Sequence, residues 1–117
     1  MNEIKEMKEQ YIHINTRGTK QYYSDKKMTV LHREDGPAVE YSDGSKLWYI
    51  NGERHCEDGP AIEDADGTKA WYINGELHRE DGPAVEEVDG FKEWYIDGKS
   101  LTEDEFDARN KVELAHG

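Results

Sequence analysis

The chain has 117 residues, of which 34% are hydrophobic and 36% charged, and its formal net charge is -12. This length allows one small domain and is too short for two independent hydrophobic cores. An acidic surface repels nucleic acid and anionic lipid, so we expect neither direct nucleic-acid binding nor membrane attachment.

The first part of the chain lacks the features of a targeting segment. Residues 1–10 are charged, which argues against a signal peptide and is compatible with a short helix. No run approaches the roughly 18 apolar residues of a membrane span. We therefore expect a cytoplasmic protein. Residues 11–31 form a degenerate half-repeat, in which the motif from Gly18 to Tyr23 matches the one from Gly44 to Tyr49.

Three copies of a 23-residue unit follow, at residues 32–54, 55–77 and 78–100. Each copy contains an Asp-Gly dipeptide and an Asn-Gly or Asp-Gly dipeptide, which favour the tight turns of β-hairpins. Between the turns lie two short segments rich in β-branched and aromatic residues, 38–41 and 46–50 in copy one. The sequence therefore predicts a mainly β fold, a short antiparallel meander or open solenoid of hairpin repeats.

Side-chain alternation assigns the two faces of the second strand. Trp48 and Ile50 share one face and Tyr49 lies on the other. We expect the tryptophan and isoleucine of each copy to form the core, while the tyrosines make a partly exposed stripe. The core is completed by one aliphatic residue of each first strand, Val39, Ile62 and Val85.

Residues 101–117 predict a helical cap for the end of the array. The segment from Thr102 to Glu105 is a capping box, and Phe106, Val112 and Leu114 give the following helix an apolar side. Repeat arrays need such caps because the last repeat otherwise leaves an apolar end exposed. We treat residues 1–117 as one domain.

The repeat resembles the MORN repeat, a β-hairpin unit of the same length with a recurring aromatic–Gly strand and an Asp-Gly turn. The likeness covers Gly18 to Gly98 and rests on W-Y-I-N-G and the following D-G. The motif H-R-E-D-G-P-A, and the ending from Leu101 to Phe106, are more similar to a MORN-like variant of small bacteriophage proteins. The resemblance implies a scaffold or a module that binds partners or lipids.

Histidines recur at one position of the repeat and are each followed three residues later by an aspartate. The pairs are His32 with Asp35, His55 with Asp58 and His78 with Asp81. Equivalent residues two strands apart are separated by about 10 Å. A metal ion needs ligands at about 2 Å, so we expect these residues to fasten a turn instead of binding metal.

No motif indicates catalysis or cofactor binding. The glycines belong to turns, and acidic residues are too frequent for any one pair to stand out as an acid–base couple. We therefore expect no enzyme, no cofactor and no catalytic residue. The single cysteine, Cys56, fits a reducing compartment and occupies the position of Arg33 and Arg79 in the other copies, as an incidental substitution.

Tyrosines flanked by carboxylates are the best candidates for contacts with a partner. Tyrosine supplies contact area at low entropic cost, and acids pair with arginine or lysine of a partner. An ordinary solvated sheet face would have the same composition. The candidate residues are Tyr41, Tyr49, Tyr72, Tyr95, Glu40, Glu53, Asp64, Glu76, Glu86, Glu87 and Glu93.

Most of the acidic charge lies in the repeats, because residues 32–99 contain eighteen acidic and seven basic side chains. Together with the resemblance to small bacteriophage proteins, this charge favours an acidic protein-binding module. We expect a phage-encoded inhibitor, acting in the host cell cytoplasm, that covers the basic surface of a host defence or nucleic-acid-binding protein as a nucleic-acid mimic. The charge could instead serve solubility alone. Two alternatives are a structural module that forms a homo-oligomer or scaffold, and a repeat protein that binds a small ligand.

Overall fold

A computed structural model describes residues 10–116, and the side chains up to residue 111. Most of the segment expected as an N-terminal helix lies outside the described residues. The predicted fold class is confirmed: antiparallel strands form an open meander that ends in one helix. The strands are β1 (Tyr11–Ile14), β2 (Lys20–Tyr23), β3 (Val39–Glu40), β4 (Lys46–Leu47), β5 (Tyr49–Ile50), β6 (Glu53–Arg54), β7 (Ile62–Glu63), β8 (Lys69–Ala70), β9 (Tyr72–Ile73), β10 (Glu76–Leu77), β11 (Val85–Glu86), β12 (Lys92–Ile96) and β13 (Lys99–Leu101), and the helix α1 covers Glu103–His116.

Each repeat contributes two strands to a main sheet of nine, in the order β1-β2-β3-β4-β7-β8-β11-β12-β13. Copies one and two also form a small hairpin each, β5–β6 and β9–β10. Equivalent strands are second neighbours, as in β3, β7 and β11, so the repeats step by about 10 Å. This keeps equivalent side chains in parallel rows along the molecule.

The strand expected over residues 46–50 divides at Trp48. β4 pairs with the main sheet, whereas β5 pairs with β6, so the chain leaves one sheet for another within a few residues. The Trp48 N–H donates to the Ala61 carbonyl at 2.8 Å and joins the two parts. In copy three the corresponding strand, β12, is continuous.

The second turn of each repeat has left-handed backbone geometry. Asn51, Asn74 and Asp97 have φ of 51, 49 and 50°, and the glycine after each also has positive φ. Two successive residues with positive φ make the type I′ turn that matches the twist of a β-hairpin. The turns also bridge repeats, since the Gly75 N–H donates to the Arg54 carbonyl at 2.9 Å.

The buried apolar side chains of the described residues are mostly small, with Tyr22 and Phe106 as the large ones, so the prediction of a tryptophan and isoleucine core is wrong. The alanines after each proline, Ala38, Ala61 and Ala84, are 0% exposed, and Val39 is 3% exposed. The tryptophans, the paired isoleucines, Ile62 and Val85 are only half-buried. Each alanine lies between two neighbouring strands, where backbones approach closely, whereas the larger rings line grooves that are open on one side.

Helix α1 closes the end of the sheet, as the sequence predicts. Thr102 Oγ1 accepts a hydrogen bond from the Glu105 N–H at 3.1 Å, and Glu105 Oε1 accepts one from the Thr102 N–H at 2.9 Å. This is the capping box, which satisfies two backbone donors at the start of the helix. Phe106 is 4% exposed, and the helix contacts β12 and β13.

Candidate functional site

The residues predicted to contact a partner do not form one surface. They fall into sets according to their position in the repeat. The hairpin row contains Tyr49, Tyr72, Tyr95, Glu53 and Glu76, and the turn row contains Tyr41, Asp64 and Glu87. Glu40 and Glu86 bind arginines of the chain itself, and Glu93, which belongs to neither row, lies in β12 opposite Val85.

The hairpin row combines aromatic rings with acids along one side of the molecule. The Arg54 guanidinium lies 6.0 Å from the centre of the Tyr49 ring and 5.4 Å from that of Tyr72, so it links adjacent hairpins. Glu53 is exposed beside Gly75 of the next turn, where a methyl group would lie 3.7 Å from the Glu53 side chain. These tyrosines are half-buried, so part of each side chain is accessible to a partner.

The turn row lies on the Asp-Gly turns that join the strands of the main sheet. The three residues occupy the same position, and the backbone N–H of each donates to a carbonyl four residues later. Neighbouring turns are linked, because the Ala65 N–H donates to Ser45 Oγ at 2.9 Å. The aspartates of the dipeptides, Asp43, Asp66 and Asp89, are also exposed here. The turns therefore form a connected acidic edge.

Two arginines build equivalent internal clusters. Arg33 Nε donates to Asp35 at 3.0 Å, its Nη1 donates to the Pro37 carbonyl at 3.2 Å and to Glu40 at 3.1 Å, and its guanidinium lies 4.0 Å from the centre of the Tyr22 ring. Burial opposes the charge of Arg33, yet the hydrogen bonds and negative charges around it raise its pKa. The Glu40 carboxylate is therefore paired with an arginine of the same chain.

The third copy repeats this arrangement. Arg79 donates to Asp81 at 2.9 Å, to the Pro83 carbonyl at 3.1 Å and to Glu86 at 2.9 Å. Its guanidinium lies 3.8 Å from the centre of the Trp71 ring. Charge-assisted bonds of this kind are stronger than neutral ones and fix both partners. Glu86, like Glu40, is therefore engaged inside the chain.

The histidines use both ring nitrogens in hydrogen bonds. The Nδ1 atoms of His32, His55 and His78 accept backbone N–H groups of the following turn at 2.9–3.0 Å. Each Nε2 lies 3.1–3.2 Å from the glutamate two residues later. Since Nδ1 accepts, Nε2 carries the proton and donates. Among the side chains that the structure describes, those of residues 10–111, no group of three or more metal-ligating residues comes together.

Cys56 lies in a partly covered position beside Asp58. Burial, together with the Sγ–H bond to Asp58 Oδ1 at 3.4 Å, raises the pKa of the thiol to about 11. The thiolate is the reactive form of cysteine. At neutral pH Cys56 is therefore protonated and behaves as a small apolar residue.

Sequence reasoning missed Glu63, which occupies the position of Glu40 and Glu86 in copy two. No side-chain hydrogen bond or ion pair of Glu63 is found within the described part of the chain. Alignment of the three copies could have revealed this residue. Copies one and three have an arginine seven residues before the glutamate, whereas copy two has Cys56 seven residues before Glu63. We predicted Cys56 as an incidental substitution without considering the glutamate that it leaves behind.

Comparison with protein-family models, curated proteins and solved structures finds no match to the chain. The MORN-like resemblance therefore stays a prediction from the quoted motifs. In the part of the chain that the structure describes, no helix has the length and apolar character needed to span a bilayer.

Proposed function

We propose that the chain is a protein-binding module whose acidic rows engage a basic surface of a partner protein. The partner class that fits best is a host defence or nucleic-acid-binding protein, whose basic face the module would cover in place of nucleic acid. A phage origin is part of this proposal and rests on the motif resemblance alone. The observation that carries the proposal is the exposure of the carboxylates.

Of the eighteen acidic side chains in residues 32–99, fourteen are exposed. The four half-buried ones are Glu40, Glu63, Glu86 and Glu93. Because the two internal arginines bond to only four carboxylates, most of the negative charge faces solvent. Its arrangement in rows on an open sheet gives a partner a line of acceptors rather than a pocket.

The test is recovery of a partner followed by a salt series. The tagged full chain is incubated with nuclease-treated host lysate, and a captured protein is then purified and titrated at several salt concentrations. We expect a protein that also binds nucleic acid, with an affinity that falls steeply between about 50 and 200 mM salt because exposed charges are screened. An affinity independent of salt would contradict the proposal.

Isosteric variants locate the surface on the partner complex. Asp64→Asn with Glu87→Gln neutralises the turn row, and Glu53→Gln with Glu76→Gln neutralises the hairpin row. The row that makes the contact should lose affinity and salt dependence together, while the other double variant serves as its matched control. If both double variants retain full affinity, neither row contacts the partner, and that part of the proposal is wrong.

A second candidate function is self-assembly, favoured by one observation. Within the described residues β1 is an edge strand of the main sheet, and its Ile12 and Ile14 are exposed. An exposed edge with apolar side chains is a template for pairing with another chain. Sedimentation at several concentrations tests this. A stable oligomer that Ile14→Lys dissociates would favour it, and a monomer at all concentrations would exclude it.

A further inference from the structure

Copy two contains the binding groups of an arginine cluster without the arginine. In copies one and three a guanidinium bonds to an aspartate, a carbonyl and a glutamate and covers an aromatic ring. The corresponding groups of copy two are Asp58, the Pro60 carbonyl, Glu63 and Trp48. Cys56 stands where the arginine would be, and its side chain is too short to reach them all.

The space of the absent guanidinium is open. A methyl group placed at Gly36 or at Gly82 would lie 3.0 Å from the guanidinium carbon of the neighbouring arginine. At the equivalent Gly59, the nearest atom is Cys56 Sγ at 4.0 Å. A groove of about 840 Å³ runs beside this position and is lined among others by Trp48, Cys56 and Asp58. A similar groove of about 820 Å³ runs beside Arg79 in copy three, so the groove is common to both copies and the missing guanidinium is specific to copy two. Solvent and a ligand can therefore reach the side of the slot formed by Trp48 and Asp58.

The lysines beside Glu63 do not take the place of the arginine. Glu63 pairs across the sheet with Lys46 and Lys69. Glu40 and Glu86 also have lysines at both cross-strand positions, and both still bind an arginine. The described residues place no cation over Trp48 and no ion-pair partner on Glu63. The slot thus has the same surroundings as the filled ones.

We propose that this vacant slot, formed by Trp48, Asp58, the Pro60 carbonyl and Glu63, binds the guanidinium of an arginine side chain on the partner protein. The proposal rests on the proposed function, since it names the contact that a basic partner makes. The fold itself supplies the template, because equivalent residues hold a guanidinium twice elsewhere in the same chain.

The geometry selects arginine over lysine. In the filled copies Nε and Nη1 donate to different acceptors while the flat group lies over a ring. A planar fork of several donors satisfies this arrangement, whereas an ammonium group is a compact point charge that cannot bond to separated acceptors and stack at once. Of the groove-lining residues, Arg33 is the one cation, and its guanidinium is already engaged by Asp35 and Glu40.

The test uses N-acetyl-arginine amide as the probe and the indole N–H resonances of the isotope-labelled full chain as the readout. We expect a saturable shift of the Trp48 indole and of backbone amides near Cys56, with affinity on the order of millimolar. N-acetyl-lysine amide should bind more weakly. Glu63→Gln should weaken arginine binding about tenfold through loss of a charged acceptor. A shift of equal size at Trp71, or no saturable shift, would overturn the proposal.

Three variants provide matched controls. Cys56→Arg fills the slot with a residue of the chain and should abolish the Trp48 shift. Gly59→Ala narrows the slot and should abolish it as well, without altering any charge. Arg79→Cys should create a second slot, seen as a new saturable shift at Trp71. Probe binding that is unchanged in Cys56→Arg and Gly59→Ala would contradict the assignment.

The proposed guanidinium site and the proposed protein-binding function can be tested separately. If a partner binds the wild type and Cys56→Arg equally well, the slot does not bind an arginine of the partner, although the chain is still a protein-binding module. If the probe binds as expected and no salt-dependent partner exists, the proposed function is wrong although the slot is a guanidinium site. If both hold, Cys56→Arg should weaken partner binding at least about tenfold by excluding the arginine.

Discussion

At the scale of single residues, the histidines explain how each repeat is closed. The sequence predicts that they fasten a turn, because their spacing is unsuitable for a shared metal ion. The atoms involved could not be predicted. The partner of His55 Nδ1 is the Asn74 N–H, nineteen residues away, and this contact depends on how one hairpin folds back on the preceding loop. The histidine thus joins two segments that are distant in sequence.

Replacement of this histidine should lower stability by a modest amount. His55→Ala leaves the Asn74 N–H and the Glu57 carboxylate without their partners, so we expect a loss of about 1 kcal/mol in the free energy of unfolding. Urea denaturation measures it. Glu57→Gln is the control, because this carboxylate is exposed and its loss should change stability by less than about 0.5 kcal/mol. Equal effects of both variants would contradict this role of the ring.

The thiol of Cys56 should react slowly near neutral pH. Burial and the neighbouring Asp58 raise its pKa to about 11, so in the folded protein the thiolate population grows only as the pH approaches that value. The rate of alkylation by iodoacetamide, followed by mass spectrometry, should therefore still rise above pH 9. The urea-unfolded chain provides the control, with a rate that reaches half of its plateau near pH 9, the ordinary pKa of the thiol. A folded-state profile identical to the unfolded one would refute the shift.

At the scale of elements, the turns were predictable and the strand boundaries were not. Asn, Asp and Gly adopt positive φ more readily than other residues, and both residues of each second turn do so, as the dipeptides predict. The Asp-Gly dipeptides before each proline have no positive φ, so the dipeptide alone does not determine the turn type. The division at Trp48 is different, because it depends on a hydrogen bond to Ala61 of the next repeat. The alternation of side chains along the strand also led to the wrong core residues. Alternation separates the two faces of a strand, but it does not indicate which side chains are covered by loops.

Glycine substitutions distinguish turn positions from open ones. Gly75 has φ of 83°, a conformation that a side chain disfavours, so Gly75→Ala should destabilise the fold by about 1–2 kcal/mol. Gly59→Ala is the matched control. Its added methyl meets nothing closer than 4.0 Å, so we expect little change in stability. Thermal unfolding of both variants checks this. A larger loss in Gly59→Ala than in Gly75→Ala would contradict the described turn.

The helical cap should be necessary for the stability of copy three. Phe106 is the buried side chain of α1 among those described, and Phe106→Ala should lower the free energy of unfolding by about 3 kcal/mol. Amide hydrogen exchange should show the greatest loss of protection in β12 and β13, which the helix contacts. Lys111→Ala, on an exposed position of the same helix, is the control. Uniform loss of protection across all repeats would contradict a local cap.

At the scale of the whole molecule, the sequence predicts the charge of the array and the order of its repeats. It does not by itself indicate which carboxylates are available. Glu40 and Glu86, expected on a partner-binding surface, bond to arginines inside the chain, whereas Glu63 has no such arginine. The chain returns after each Gly-Pro turn and brings residues seven positions apart within hydrogen-bonding distance, a contact that the sequence alone does not reveal. Copy two differs because Cys56 stands in place of the arginine.

The central claim, that an acidic array covers a basic nucleic-acid-binding surface, is tested most directly by competition. The partner captured from lysate is bound to a fluorescent nucleic acid of its own preference, and the full chain is added while anisotropy is followed. Our account predicts complete displacement of the nucleic acid, which becomes weaker as salt is raised. Binding of the chain to the partner without displacement, as a ternary complex, would contradict it.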